Sequence, residues 1–205
     1  MARTTRRIAR GAAPLVLLTA VLTGCTTTTT TGGEKRSEVP DEPSSVGARD
    51  SGCALPVSFD LEAGWQARAT DAASAPVDSQ RVAFSLVCEL DGSAAGHAGR
   101  MRVWTAPVAG RTPEQALRGF VGEVTLRLKQ ESYAPFRAGA LAAVEARFSE
   151  SPGPAGGGET AARAFVVGAA DGLVIVQLGG LGGGEDPRML PAYEQIKKSV
   201  RAGKG

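Results

Sequence analysis

Few side chains in this 205-residue chain are equipped for nucleophilic, redox or metal chemistry: three cysteines, Cys25, Cys53 and Cys88, and a single histidine, His97. A hydrolytic triad needs a base held against a nucleophile, and His97 is the only histidine available for that work. It closes the stretch Asp91-Gly92-Ser93-Ala94-Ala95-Gly96-His97, which reads as a turn, and no Gly-x-Ser-x-Gly elbow presents a serine to it. The expectation is a solvated loop histidine and no catalytic residue. Zinc would need further ligands, and calcium a row of alternating oxygen ligands that the chain lacks, so no metal site is expected. Gly179-Gly180-Leu181-Gly182-Gly183-Gly184 stands where a phosphate-binding loop would. It has neither the Gly-x-Gly-x-x-Gly register nor a Gly-Lys-Ser/Thr ending, so it reads as a flexible connection and no cofactor is expected. Glu185 and Asp186 read as carboxylates opening a helix, where they complement its dipole.

Cys25 is set apart by what precedes it. Leu22-Thr23-Gly24-Cys25 closes an apolar run over residues 12–22 that follows Arg3, Arg6, Arg7 and Arg10. The arginines hold the start of the chain on the cytoplasmic side while the apolar run enters the bilayer. That run is too short to span, since a stable transmembrane helix needs roughly 20 apolar residues.

These residues resemble the bacterial lipobox, in which a Leu, two small residues and a Cys direct diacylglyceryl transfer to the thiol and cleavage just before it. The resemblance implies that residues 1–24 are a lipoprotein signal peptide with Leu22, Thr23 and Gly24 as its cleavage motif. Cys25 is then the lipidated start of the mature chain, anchored to the outer face of the cell membrane. Two or more acyl chains anchor a protein stably where one does not. An ordinary signal peptide cut near Ala20 is the alternative. Arg6-Arg7 within Thr-Arg-Arg-Ile also fits a twin-arginine signal, so the export route stays open.

Processing changes the charge balance. The chain has 23 basic and 21 acidic residues, but residues 1–24 hold four arginines and no acid, leaving 19 against 21, a net charge of −2. No basic stripe interleaved with aromatics remains, so nucleic acid is not an expected partner. Residues 25–52 begin with a threonine run and continue polar, with almost nothing to bury, and read as a tether. About 27 flexible residues reach roughly 30 Å. Residues 53–205 turn globular, enough for one domain with one core.

Within that domain, Val82, Phe84, Leu86, Cys88 and Leu90 alternate with polar residues and predict a half-buried strand with all five on one face. Met101, Val103 and Thr105 alternate with Arg100, Arg102 and Trp104, which places Trp104 on the polar face, either packed under a helix, the favoured reading, or exposed as a possible partner surface. Ala142, Val144, Ala146 and Phe148 alternate with Glu145, Arg147 and Ser149. Residues 173–178 are apolar almost throughout and predict a central strand covered on both sides, joined through Asp171-Gly172 to a strand near residues 162–167. Thr112-Pro113-Glu114-Gln115 is a capping box that opens a helix carrying Leu117, Phe120, Val121, Val124 and Leu128. Pro191 marks the first turn of a closing helix with Tyr193, Ile196 and Val200 on its buried stripe and Glu194–Lys198 as an i,i+4 pair. With Cys25 committed to lipid, Cys53 and Cys88 are left in an oxidising compartment and are expected to pair.

Residues 57–65, Val-Ser-Phe-Asp-Leu-Glu-Ala-Gly-Trp, the mid-chain helix, the late strand and the final helix ending Ile196-Lys197-Lys198-Ser199-Val200-Arg201 together resemble actinobacterial lipoproteins of the PsbP-like, LpqN-type class over about 150 residues. The resemblance implies a PsbP-like sandwich, an antiparallel sheet with helices packed on its faces, serving binding or assembly rather than catalysis. The order of elements by itself gives the same α+β class. The expected function is a membrane-anchored, non-enzymatic module that binds another envelope component; the alternative is a cup for a small molecule or lipid between sheet and helix. An intact mass of the purified protein is expected to show a chain that begins at an acylated Cys25, and an unmodified thiol there would refute the anchor.

Overall fold

In the computed structural model the described residues are 43–49, 51–70, 84–108, 110–125, 127–151, 158–180 and 184–203, all within the unit Ser37–Gly205. The residues expected to form a signal peptide, with Leu22, Thr23 and Gly24, lie outside them, as do Cys25, most of the expected tether and Val82. Two antiparallel sheets organise this unit. The larger has seven strands: β3 (Gln66–Ala69), β4 (Ser85–Asp91), β5 (Arg100–Ala106), β6 (Leu128–Ala138), β7 (Leu141–Glu150), β8 (Thr160–Ala169) and β9 (Gly172–Leu178). They lie in the order β3-β4-β5-β9-β8-β7-β6. The smaller sheet sets β2 (Val57–Leu61) between β1 (Ser44–Val46) and β10 (Arg201–Ala202). Helix α1 spans Pro113–Val124 and α2 spans Leu190–Ser199. The architecture is α+β.

All seven residues of β9 are buried. Leu173 and Ile175 join Leu117, Phe120 and Val121 of α1 in one core. Val174, Val176 and Leu178 join Tyr193 and Ile196 of α2, with Val57, Phe59 and Leu61 of β2, in a second core on the opposite face. Each helix therefore covers one face of the large sheet, and the small sheet lies on the α2 side. The capping box forms as expected: Gln115 N–H donates to Thr112 Oγ1 (3.2 Å) and Thr112 N–H to Gln115 Oε1 (2.9 Å), a cap worth about 1 kcal/mol.

The single-face alternation predicted for β4 is corrected by a bulge. Leu86 pairs with Trp104 but Cys88 pairs with Val103, so Val87 is an inserted residue. One extra residue reverses the parity of the pleat. Phe84 and Leu86 consequently pack under α1, while Cys88 and Leu90 face the second core. Trp104 takes the favoured of its two readings, packed under a helix, and the partner surface is the one overturned. It is 3% exposed, because the face read as polar is roofed by α1, and its ring meets Phe120 at 5.4 Å. It is not a partner surface.

Other expectations shift at the edges. Ser44–Val46, assigned to the tether, pairs with β2 and buries Val46, so the folded part begins before residue 53. Helix α1 stops at Val124, and Leu128, at 37% exposure, opens β6 instead. That strand is an exposed edge with Lys129, Glu131, Arg137 and Pro135 along it, residues that protect an edge and hide the apolar period. Helix α2 starts at Leu190 rather than at Glu185. Asp186 instead caps the short 3-10 turn Pro187–Met189, and Glu185 forms a two-point ion pair with Arg163 (2.7 and 2.8 Å). The Glu194–Lys198 pair is replaced by Lys197, whose ammonium lies 3.0 Å from Glu194 and 2.9 Å from Glu145. Glu145 is 6% exposed beneath α2, and a carboxylate there needs a cation because an unpaired buried charge costs several kcal/mol.

Cys53 and Cys88 are joined by a disulfide, with Cα atoms 6.0 Å apart, which staples the segment before β2 to β4. The sequence separation of 35 corresponds to roughly 3–4 kcal/mol in the chain-entropy picture. In denaturant without reductant the folded domain is expected to expose no free thiol from this pair, and Cys88→Ala to lower the melting temperature by many degrees; two titratable thiols would contradict the bond. A second test concerns Asp60, whose carboxyl the Arg201 guanidinium holds below its ordinary 3.8. A lowered folded-state value adds stability above the ordinary pKa, and that contribution disappears as pH falls through the folded value. Asp60→Asn is therefore expected to lower stability near neutrality by at most about 1 kcal/mol. The gap from the parent should close on acidification below the ordinary carboxylate pKa, measured by melting curves across pH.

Candidate functional site

The outward face of the small sheet forms a cleft. Strand β2 alternates Val57, Phe59 and Leu61 inward with Ser58 and Asp60 half-buried on the other side. Register places Ser45 opposite Asp60 and Arg201 opposite Ser58, so these four polar side chains share the outward face. The cleft that opens there measures about 520 Å³, with Ser45, Ser58, Arg201 and Ala202 among its lining residues. Gly47, Ala48 and Arg49 together with Ala54, Leu55 and Pro56 line it further, and Gly203 and Asp171 complete the lining.

Local backbone constraints hold this shape. Gly47 has φ 105°, and a Cβ there would fall 2.0 Å from the Val57 carbonyl oxygen, so only glycine lets the turn press against β2. Gly47 N–H donates to the Cys53 carbonyl (3.0 Å) and Leu55 N–H donates back to the Gly47 carbonyl (3.1 Å). Ser51 Oγ donates to the carbonyls of Ala48 and Cys53. The disulfide at Cys53 thus braces the wall of the cleft as well as the sheet. On the other side Gly203 N–H donates to the Pro56 carbonyl (3.0 Å) and fixes the chain after β10.

Charge in the cleft is of both signs. Arg201 meets Asp60 with two short bonds, 2.6 and 2.9 Å, which depress the Asp60 carboxyl and raise the Arg201 guanidinium above its ordinary value. Arg49 and Asp171 are exposed and make no ion pair among the described residues. Two serine hydroxyls, two guanidiniums and an apolar wall of Leu55 and Pro56 can hold a polar group with a short apolar attachment. Nothing in this set is a nucleophile paired with a base.

A second polar cluster lies under α2, where Lys197, Glu145, Arg163 and Glu185 are ion-paired around Tyr193. Burial pushes the Tyr193 hydroxyl well above its ordinary value, so it stays protonated. Phe136 and Phe165 pack against Lys197 and Tyr193, so the cluster docks the helix. Between sheet and helices, where the alternative reading put a cup, the described residues place the buried side chains of the two cores.

His97 departs from the solvated loop foreseen for it. It is half-buried, its ring 5.3 Å from that of Trp65, and it stands apart from the cleft. Among the described residues no group of three or more His, Cys, Asp or Glu side chains is arranged to hold a metal ion. Sequence reasoning missed Ser45, Arg49, Ser58, Asp171 and Arg201 as a group. The alternation of residues 57–61 was a usable signal for Ser58 and Asp60, but the pairing partners come from segments more than a hundred residues apart, and no periodicity joins those.

No curated protein and no solved structure matches this chain. A family model described as an uncharacterised lipoprotein matches residues 24–200, which takes in the lipobox cysteine, both sheets up to the end of α2, and most of the cleft. The chain belongs to this family of uncharacterised lipoproteins.

Proposed function

We propose that this envelope lipoprotein is a binding module, held on the outer face of the membrane through an acylated Cys25, that works without catalysis. What supports the reading is the cleft beside β1. The described residues open with that strand, so the walls of the cleft come soon after the segment read as a tether leading back to Cys25. A lipidated cysteine keeps such a module at the surface, and a preformed concave site gives it something to hold. The layered α+β architecture is compatible with the PsbP-like, LpqN-type kinship read from residues 57–65 and the closing helix, and that kinship is part of the proposal. A protein partner in an envelope assembly is one occupant of the cleft. A small molecule or lipid is the second, favoured by a volume of about 520 Å³, within the range of small-ligand sites.

Cross-linking the anchored protein in intact cells, with Cys25→Ala as the control, tests the module. The expected result is a component captured in near-stoichiometric amount, protein or lipid, that is lost with the anchor. Equal capture by both forms, or no captured component at all, would overturn the reading.

A further inference from the structure

The cleft has the chemistry of a phospholipid headgroup site. Ser45, Ser58, Arg201 and Arg49 are among its lining residues, and Arg49 has no ion-pair partner among the described residues. Guanidinium forks and hydroxyls together are what a phosphate oxygen cluster accepts from, and the fork matches the phosphate geometry. Asp60 neutralises Arg201 and fixes its direction, leaving Arg49 and Asp171 as the two unbalanced charges, one of each sign, among the lining residues. A ligand that is itself neutral but carries separated charges, a phosphodiester and an ammonium, complements that pair; a free anion leaves Asp171 facing it uncompensated. Leu55 and Pro56 offer apolar surface to the glycerol end of such a ligand. No aromatic ring lines the cleft, which removes the stacking platform that a nucleobase would use.

Position favours a lipid over a soluble phosphate ester. Ser45 and Gly47, in the cleft wall, follow residue 43 almost at once, and 17 residues separate Cys25 from residue 43. As the tether expected from the sequence, those residues would have a root-mean-square span of roughly 23 Å. A site so tethered meets headgroups at millimolar effective concentration, and weak affinity is then sufficient for occupancy. We propose that the cleft between β1, β10 and the Gly47–Pro56 segment binds the zwitterionic phosphate headgroup of a membrane phospholipid, phosphodiester at Arg49 and the two serines and ammonium at Asp171. The site draws the domain down onto the membrane that anchors it. This inference rests on the reading of the protein as a tethered binding module.

The test uses the purified full-length protein in nonionic detergent, isotope-labelled, with glycerophosphoethanolamine and inorganic phosphate as separate probes. Glycerophosphoethanolamine is expected to shift the amide signals of Ser45, Gly47, Ser58 and Gly203 saturably in the millimolar range. Arg49→Glu is expected to weaken that response by about tenfold, while Lys129→Glu on the distant edge strand leaves it unchanged. Arg49 is exposed and carries no packing, and the dispersion of the amide spectrum confirms that the variant is folded; Arg49→Ala serves as a second variant. Inorganic phosphate acting as well as the headgroup would overturn the lipid assignment in favour of a free phosphate. Silence at these four amides would overturn the site altogether. If the amides are silent but cross-linking captures a protein partner through an Arg49-dependent contact, the headgroup inference falls and the tethered module stands. If neither is seen, both fall.

Discussion

Strand β9 sets the terms for everything around it. Seven consecutive residues without solvent exposure cannot form part of a one-sided sheet, so both faces must be roofed. One roof is α1, whose Leu117, Phe120 and Val121 meet Leu173 and Ile175. The other is made of two pieces, α2 and the small sheet, since Tyr193 and Ile196 share the second core with Val57, Phe59 and Leu61. The small sheet is therefore part of the core, and its inward face, Val57, Phe59 and Leu61, is wholly apolar. Its outward face is released from that duty and is free to be polar. The cleft exists because β2 divides its labour in this way.

Burial also explains where charge was tolerated. Glu145 lies on the α2 side of β7, and its carboxylate is met by Lys197, whose ammonium also rests near the Phe136 and Tyr193 rings. Arg163 and Glu185 form a matching pair alongside. Such pairs contribute little net stability relative to apolar packing, but removing one partner is costly. They fix which way α2 lies on the sheet, and hence where Val200 and Arg201 emerge to join β2.

The parts legible in the sequence were those governed by local rules. The capping box, the β8–β9 hairpin at Asp171-Gly172 and the doubly covered strand are each encoded within a few residues. Trp104 stayed open between two readings because alternation reports which residues share a face, not whether that face is roofed, and the roof is a helix eight or more residues downstream. The parity reversal at Val87 is invisible for the opposite reason, since a bulge keeps the apolar pattern intact while turning it over. Strands β3 and β6 escaped notice because edge strands carry polar residues on both sides. The cleft was out of reach of local reading altogether: Ser45, Ser58 and Arg201 become neighbours only when the last strand of the chain returns to the second.

That return has a mechanical side. Strand β1 is held by three residue pairs, and a pull on the chain ahead of it, such as the proposed anchor at Cys25 would transmit, loads those pairs first. If they gave way, the chain could peel only as far as Cys53, where the covalent bond to Cys88 passes the load into β4, the second strand of the seven-stranded sheet. The disulfide thus limits how much chain such a pull can draw out: residues 54–87 stay inside a covalently closed loop, and unravelling beyond Cys53 has to strip β4 from its partners β3 and β5 instead.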